Sequence, residues 1–159
     1  MQRNLLIAIC VAAFGAVALA LVGQHLHGMR PCPWCVLQRL IYIAIGLAAL
    51  VGAVSSLRKP AASLALLLAS CGMAAALWQH FVAATNPSCL MTLADQIVSG
   101  LGLDRVLPSI FLATASCAEA TVSVLGISFD FWSLAMFALL ALAAAFVLGV
   151  NDRSKRLFA

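Results

Sequence analysis

The sequence predicts an all-α membrane protein: a four-helix transmembrane bundle with a long outer loop that contains a short amphipathic helix. Three observations carry that expectation. Of the 159 residues, 65% are hydrophobic and only 9% charged, whereas a soluble domain uses roughly 25% charged residues to cover its surface. Mean hydropathy is +1.11. Four apolar runs are each long enough to supply the roughly 20 helical residues that cross a bilayer. The runs are continuous rather than alternating, which excludes barrel strands, and helices are the other way to satisfy every backbone group in lipid. A chain of this length is expected to form a single membrane domain over 1–159.

The first helix is expected over about 5–22, a run without a charge. Arg3, the apolar core and the Ala18-Leu19-Ala20 triplet also resemble a secretory signal with a small-residue cleavage site. At about 18 residues the run exceeds the roughly 7–15-residue apolar core of such signals, so it is read as a retained helix. The second helix, about 36–57, carries one charge, Arg39; the third spans about 61–80 and the fourth about 131–150. The outer loops are then about 23–35 and 85–130. Arg3, Arg58, Lys59, Arg153, Lys155 and Arg156 fall on one side of this arrangement, and Arg30 and Arg105 on the other, with Arg39 just inside a helix. The positive-inside rule places both termini in the cytoplasm and both loops outside, together with Asp95, Asp104, Glu119 and Asp130. The net charge of +4 comes from cations at the ends of apolar runs rather than on one face, so no nucleic-acid partner is expected. Within the long loop Leu90, Leu93, Ala94, Ile97, Val98 and Leu101 recur at helical spacing, with Thr92, Asp95, Gln96 and Ser99 opposite and Gly100 and Gly102 ending the pattern. That is a short amphipathic helix, suited to packing on the bundle or lying in the membrane interface.

Six cysteines carry most of the chemical information. Cys10 and Cys71 lie inside helices one and three, where a thiol serves as a small apolar residue. The other four lie in the outward loops: Cys32 and Cys35 form a Cys-Pro-Trp-Cys unit at the mouth of helix two, and Cys89 and Cys117 bracket the amphipathic segment. If the outside is the periplasm, disulfides form and persist there. Four cysteines permit three pairings. A bracing role suits a Cys89–Cys117 bond, which would close a loop of about 29 residues and stabilise by roughly 3–4 kcal/mol. It suits Cys32–Cys35 poorly, because so small a ring removes little chain entropy and a C-x-x-C pair is the kind that cycles. Zinc would also use four cysteines, but the second pair is not a C-x-x-C and the space is oxidising, so no metal is expected. The local reading is two disulfides that exchange with each other.

The start of helix two adds to this. A thiol at a helix N-terminus feels the positive end of the macrodipole, which favours thiolate. Arg39 follows Cys35 by one turn on the same face, and an arginine inside the bilayer edge is a functional residue by default, with snorkelling to the surface as the bland alternative. It can hold Cys35 as thiolate and donate to an acceptor's oxygen. His80, at the outer end of helix three, falls at a comparable depth and is a candidate donor to a quinone carbonyl. Trp34, Trp78 and Trp132 fit an aromatic belt at the same boundary.

The stretch Pro31-Cys32-Pro33-Trp34-Cys35-Val36-Leu37-Gln38-Arg39 closely resembles the signature of the DsbB family of disulfide bond formation proteins, as do Cys117-Ala118-Glu119, Leu125-Gly126 and Trp132. The resemblance covers essentially the whole chain. It implies a protein-disulfide oxidoreductase of the bacterial inner membrane with its redox loops in the periplasm. The redox-active disulfides would be Cys32–Cys35 and Cys89–Cys117, and Cys89 would take the mixed disulfide with a DsbA-like periplasmic thiol oxidase. Electrons would pass through a Cys32–Cys117 bond to Cys35, and from there to the membrane quinone pool (ubiquinone or menaquinone) beside Arg39. A DsbA-like protein is a strong oxidant, near about −120 mV, and the DsbA–DsbB–quinone system is the established means of keeping the bacterial periplasm oxidising. The chain departs from the pattern in three places. His80 stands closer to Cys89 than the corresponding histidine does, Val122 stands where many relatives have tryptophan, and Phe129-Asp130 replaces a common Met-Pro. Two other functions fit parts of the pattern. A vitamin K epoxide reductase-like enzyme shares four helices, a C-x-x-C and a quinone, but carries the C-x-x-C late in the bundle. A tetraspan scaffold or small transporter could use its disulfides as braces, but would have no use for Arg39.

Overall fold

The computed structural model describes residues 1–84, 92–116, 119, 123–124 and 126–157, and their side chains except those of Val124 and 150–157. Four long helices form the bundle: α1 (Gln2–Leu26), α2 (Pro33–Val54), α3 (Arg58–Trp78) and α7 (Phe129–Leu157). Each is long and apolar enough to cross a membrane, α7 over Phe129–Gly149, and the chain is a multi-pass membrane protein. They pack in a ring, α1 on α2, α2 on α3, α3 on α7 and α7 back on α1. Two boundaries differ from the expected ones for local reasons. α2 begins at Pro33 rather than 36, because Cys32 caps it with its sulfur and proline at the first helical position needs no hydrogen-bond partner. It ends at Val54 because Ser55 Oγ takes the carbonyl of Val51 at 2.6 Å and receives the Leu57 amide at 3.2 Å, closing a tight turn into α3. At the other end of the bundle, Gly28 adopts φ +65° and lets the Met29 amide return to Gly23 O at 3.2 Å, a left-handed termination that stops α1.

The core is built from one stripe of each helix: Leu6, Ile9, Ala13 and Val17 of α1, Tyr42, Ile45 and Ala49 of α2, Ala62, Ala65 and Ala69 of α3, and Phe137, Leu140, Ala144 and Val147 of α7. The buried residues of α3 are all small, Ala61, Ala62, Ala65, Ala69, Gly72, Ala75 and Ala76, while Leu64 and Leu67 point away from the bundle. Lipid chains are as apolar as leucine, so burying leucines gains little in a membrane, and close backbone approach over small residues supplies the packing instead. Gly72 is the tightest point: a Cβ there would run into the ring of Phe137, which is fully buried and stacks on Tyr42 at 4.1 Å. Gly72→Val is therefore expected to lower bundle stability by about 1–3 kcal/mol through overpacking. Gly15→Ala, where a Cβ meets nothing within 4 Å, should leave it unchanged or slightly raised. Thermal unfolding followed by circular dichroism in detergent checks both; equal midpoints would show that α3 and α7 do not depend on this contact.

Outside the bundle, α4 (Leu93–Gly100) is the expected amphipathic helix, started by a capping box between Thr92 and Asp95. Ala94 and Val98 are its buried residues, and Leu93, Ile97 and Leu101 are exposed on its far side. Two short turns follow, α5 (Leu103–Val106) and α6 (Pro108–Phe111). Val98 and Phe111 close over Val36, forming a second, smaller core on the first turns of α2. A two-residue hairpin, β1 (Ser123–Val124) with β2 (Ile127–Ser128), pairs Ser123 with Ser128 and Val124 with Ile127 and leads directly into α7.

Candidate functional site

The first turn of α2 brings the two cysteines of the Cys-Pro-Trp-Cys unit together. Cys32 is in extended backbone conformation, its sulfur receives the Cys35 amide at 3.3 Å, and the two Sγ atoms lie 2.7 Å apart. Cys32 is fully buried and Cys35 is partly so. From Cys35 the helix presents Gln38, Arg39 and Tyr42 at spacings of three, four and seven, all on one face. That face, with Ala16, Leu19 and Ala20 of α1, Gln79, and Asp130, Ser133 and Met136 of α7, lines a cavity of about 340 Å³. Leu19 of α1 and Trp132 of α7 both line the cavity and are themselves exposed on the bundle's surface.

Arg39 is only 6% exposed. Its Nη1 donates to Gln24 Oε1 at 2.6 Å and to the carbonyl of Ile110 at 2.9 Å. Gln24 in turn donates to the Ser109 carbonyl at 3.3 Å. α1 and α2 thus hold two consecutive carbonyls of α6, and among the described residues the guanidinium has no carboxylate salt-bridge partner. A buried guanidinium on an apolar cavity wall is suited to an acceptor oxygen. The loop is fastened a second time where the amides of Thr114 and Ala115 donate to Pro31 O at 3.0 and 3.3 Å. Beyond it, the amide and the hydroxyl of Ser116 both donate to Glu119 Oε2 at 3.0 Å and hold that carboxyl below the usual carboxylate range, backbone hydrogen bond first. Cys89 and Cys117 lie outside the described residues.

The outer end of α3 continues into a π-helical turn, Gln79–Ala83, closed by the Ala84 amide on Gln79 O at 2.9 Å; such turns are rare and often found at functional sites. Here it sends Gln79 inward and His80 outward. Gln79 Nε2 donates to Cys35 Sγ at 3.3 Å and also to Asp130 Oδ1. Its Oε1 receives Gln38 Nε2 at 2.9 Å, Gln38 Oε1 receives Ser133 Oγ at 2.6 Å, and the Tyr42 hydroxyl bonds to Ser133 at 3.1 Å. His80 is not among the residues lining the cavity: its ring packs against Phe81 and Phe131, and its Nδ1 lies 3.5 Å from Asp130 Oδ2. Cys35 and Arg39 are therefore brought together on the cavity, while His80 reaches it only through Asp130. Gln24, Gln38, Tyr42, Gln79, Asp130 and Ser133 were not singled out for the site from the sequence. The available signal was the recurrence of polar residues in phase with Cys35 inside an otherwise apolar run. Cys10 and Cys71 lie away from the cavity, and Cys71 is exposed on the bundle surface. Among the described residues no cluster of His, Cys, Asp and Glu could hold a metal ion.

The family model for disulfide bond formation protein DsbB matches residues 2–147. A disulfide bond formation protein B of Ralstonia nicotianae is 36% identical over 89% of this chain and 90% of its own length. Proteins of the same description are 34% identical in Cupriavidus necator, over 97% of this chain and 96% of theirs, and 39% identical in Pectobacterium atrosepticum, over 91% and 86%.

Proposed function

The chain belongs to the DsbB family of disulfide bond formation proteins, and from that premise we propose that it is a thiol:quinone oxidoreductase that reoxidises a DsbA-like periplasmic partner. The observation that carries this reading is that Cys35 and a buried Arg39, which has no carboxylate salt-bridge partner among the described residues, line one largely apolar cavity. The cavity fits the group. Its volume of about 340 Å³ lies in the range of small-molecule sites, its walls are apolar enough for a ring and an isoprenoid tail, and Arg39 brings a donor for a ring oxygen. A bound quinone supplies a two-electron, two-proton acceptor. Arg39 would donate to its oxygen and orient it against Cys35, and Cys35 and Cys32 would close their disulfide as the electron pair leaves.

The upstream half of the relay is supported by the loop's attachment. Thr114 and Ala115 are held on the carbonyl of Pro31, the residue before Cys32, so the chain leading to Cys117 starts beside the first redox pair. Cys89–Cys117 would accept electrons from the partner through Cys89 and hand them on through a Cys117–Cys32 exchange. By the charge pattern, both termini would be cytoplasmic and the loops periplasmic, in a bacterial inner membrane.

The test is to mix purified full-length protein in lipid nanodiscs with reduced DsbA-like protein and a short-chain ubiquinone or menaquinone, following partner thiols and quinol together. Thiol loss and quinol formation should run in step, with no catalytic turnover when quinone is left out. Equally fast thiol oxidation without quinone would overturn the proposal.

A further inference from the structure

Across the cavity from Arg39 stands a carboxylate that the thiol relay does not use. Asp130, in the first turn of α7, is 7% exposed and lines the cavity. Its Oδ1 accepts from Gln79 Nε2, the same amide that donates to Cys35. Its Oδ2 receives Ser128 Oγ at 3.1 Å and lies 3.5 Å from His80 Nδ1. The His80 side chain is 32% exposed, so the pair runs from the cavity wall to the outer surface. A carboxylate buried at the edge of a membrane span is costly unless it has work to do.

Reduction of a quinone needs protons as well as electrons. Oxidation of the Cys32–Cys35 dithiol to a disulfide releases two electrons and two protons, and the acceptor takes up two of each. Among the groups on the cavity wall, Arg39 does not give up its proton, Tyr42 is tied to Ser133 at the inner end, and Cys35 is the electron donor. Asp130 is the remaining carrier. The charged and titratable groups facing it are Cys35 and Arg39 from α2, Arg30 from the first loop and His80 from the π turn, and the α1 residues on the cavity are uncharged.

We propose that Asp130 is the proton donor to the acceptor in this cavity and that His80 reloads it from the outer aqueous side. The inference rests on the quinone-linked reading above. The Asp130 carboxylate takes a proton from His80, which is replenished from water. As the electron pair leaves sulfur, the new Asp130 O–H breaks and its proton goes to an acceptor oxygen, and a second passage along the same path supplies the second proton. The protons lost by the thiols leave to the same side, so a full cycle neither gains nor loses protons.

The variants for the test are Asp130→Asn, which keeps an oxygen for Gln79 while removing the exchangeable acid, Asp130→Glu and His80→Gln, all in full-length protein in nanodiscs. Binding of a short-chain ubiquinone, read by quenching of tryptophan fluorescence (Trp132 lines the cavity), should be within about twofold of wild type, confirming that each variant folds. Quinol formation by Asp130→Asn should fall about 100-fold, the scale of a lost general acid, and Asp130→Glu should recover part of it. His80→Gln should slow quinol formation from the first turnover, because both protons come through His80. Time-resolved infrared difference spectra recorded while quinol forms should contain a transient carboxyl C=O band that is absent from Asp130→Asn. Wild-type quinol formation in Asp130→Asn, an unchanged infrared band, or a loss confined to binding would each overturn the proton role and leave Asp130 as wall. Failure of the wild type itself to form quinol would instead bring down the quinone reading.

Discussion

Cys35→Ala is expected to abolish quinone-dependent turnover, a loss on the order of 1,000-fold or more, as when a covalent nucleophile is removed. Cys35 is the one described cysteine on the cavity, and Cys32 is sealed beneath it with its sulfur 2.7 Å from that of Cys35. Without Cys35 the first pair can neither face an acceptor nor close a disulfide. The proposed long-loop pair is left in place, so a single equivalent of reduced partner should still be oxidised at a normal rate and then stall. Quenched-flow trapping of thiols against quinol absorbance separates the two phases. Cys71→Ala, on the bundle surface, should behave as wild type. Quinol formation by Cys35→Ala at even a tenth of the normal rate would mean that electrons leave by another route.

Removing the guanidinium of Arg39 should have the second-largest effect. On the proposed reading it is a buried donor beside the place where charge would develop, and loss of one such donor typically costs about 100- to 1,000-fold in rate. Arg39→Ala is therefore expected to raise the apparent KM for quinone and to slow quinol formation. Arg39→Lys should be milder but impaired, because lysine keeps the charge and loses the planar array of donors, of which Nη1 alone serves Gln24 and Ile110. The same bonds add an effect on the loop: Arg39→Ala should increase proteolysis between 100 and 116, whereas a residue acting on quinone alone would not. Normal quinone kinetics in Arg39→Ala would return the residue to a packing role.

The four spans are legible in the sequence because hydrocarbon imposes one rule on every residue of a spanning helix, and an 18-residue stretch without a charge has few other uses. Cys35 and Arg39 are legible for the opposite reason: each is chemically out of place where it stands. The polar network is harder to see. A glutamine at the end of an apolar run is ordinary, and only the packing of α7 against α2 and α3 shows that Gln38, Gln79 and Ser133 meet. His80 illustrates the limit most sharply. Its depth could be counted along the helix, but its direction depends on the π-helical turn, and neighbouring residues on a helix point about 100° apart. Gln79 takes the inward position and His80 the outward one. Asp130, noticeable in the sequence only as a departure from a family pattern, becomes meaningful once both of its oxygens have partners.

The chain of bonds from Tyr42 through Ser133, Gln38 and Gln79 to Cys35 has a consequence for speed. When charge moves in liquid water, the surrounding molecules must turn to meet it, and that turning is a large part of the barrier. Here the dipoles around the sulfur were turned when the chain folded, and each is held by the next, so no member can swing without breaking its neighbour's bond. The outer end of the bundle behaves as a small piece of frozen solvent, already arranged for an electron pair in transit and with little left to rearrange when it leaves.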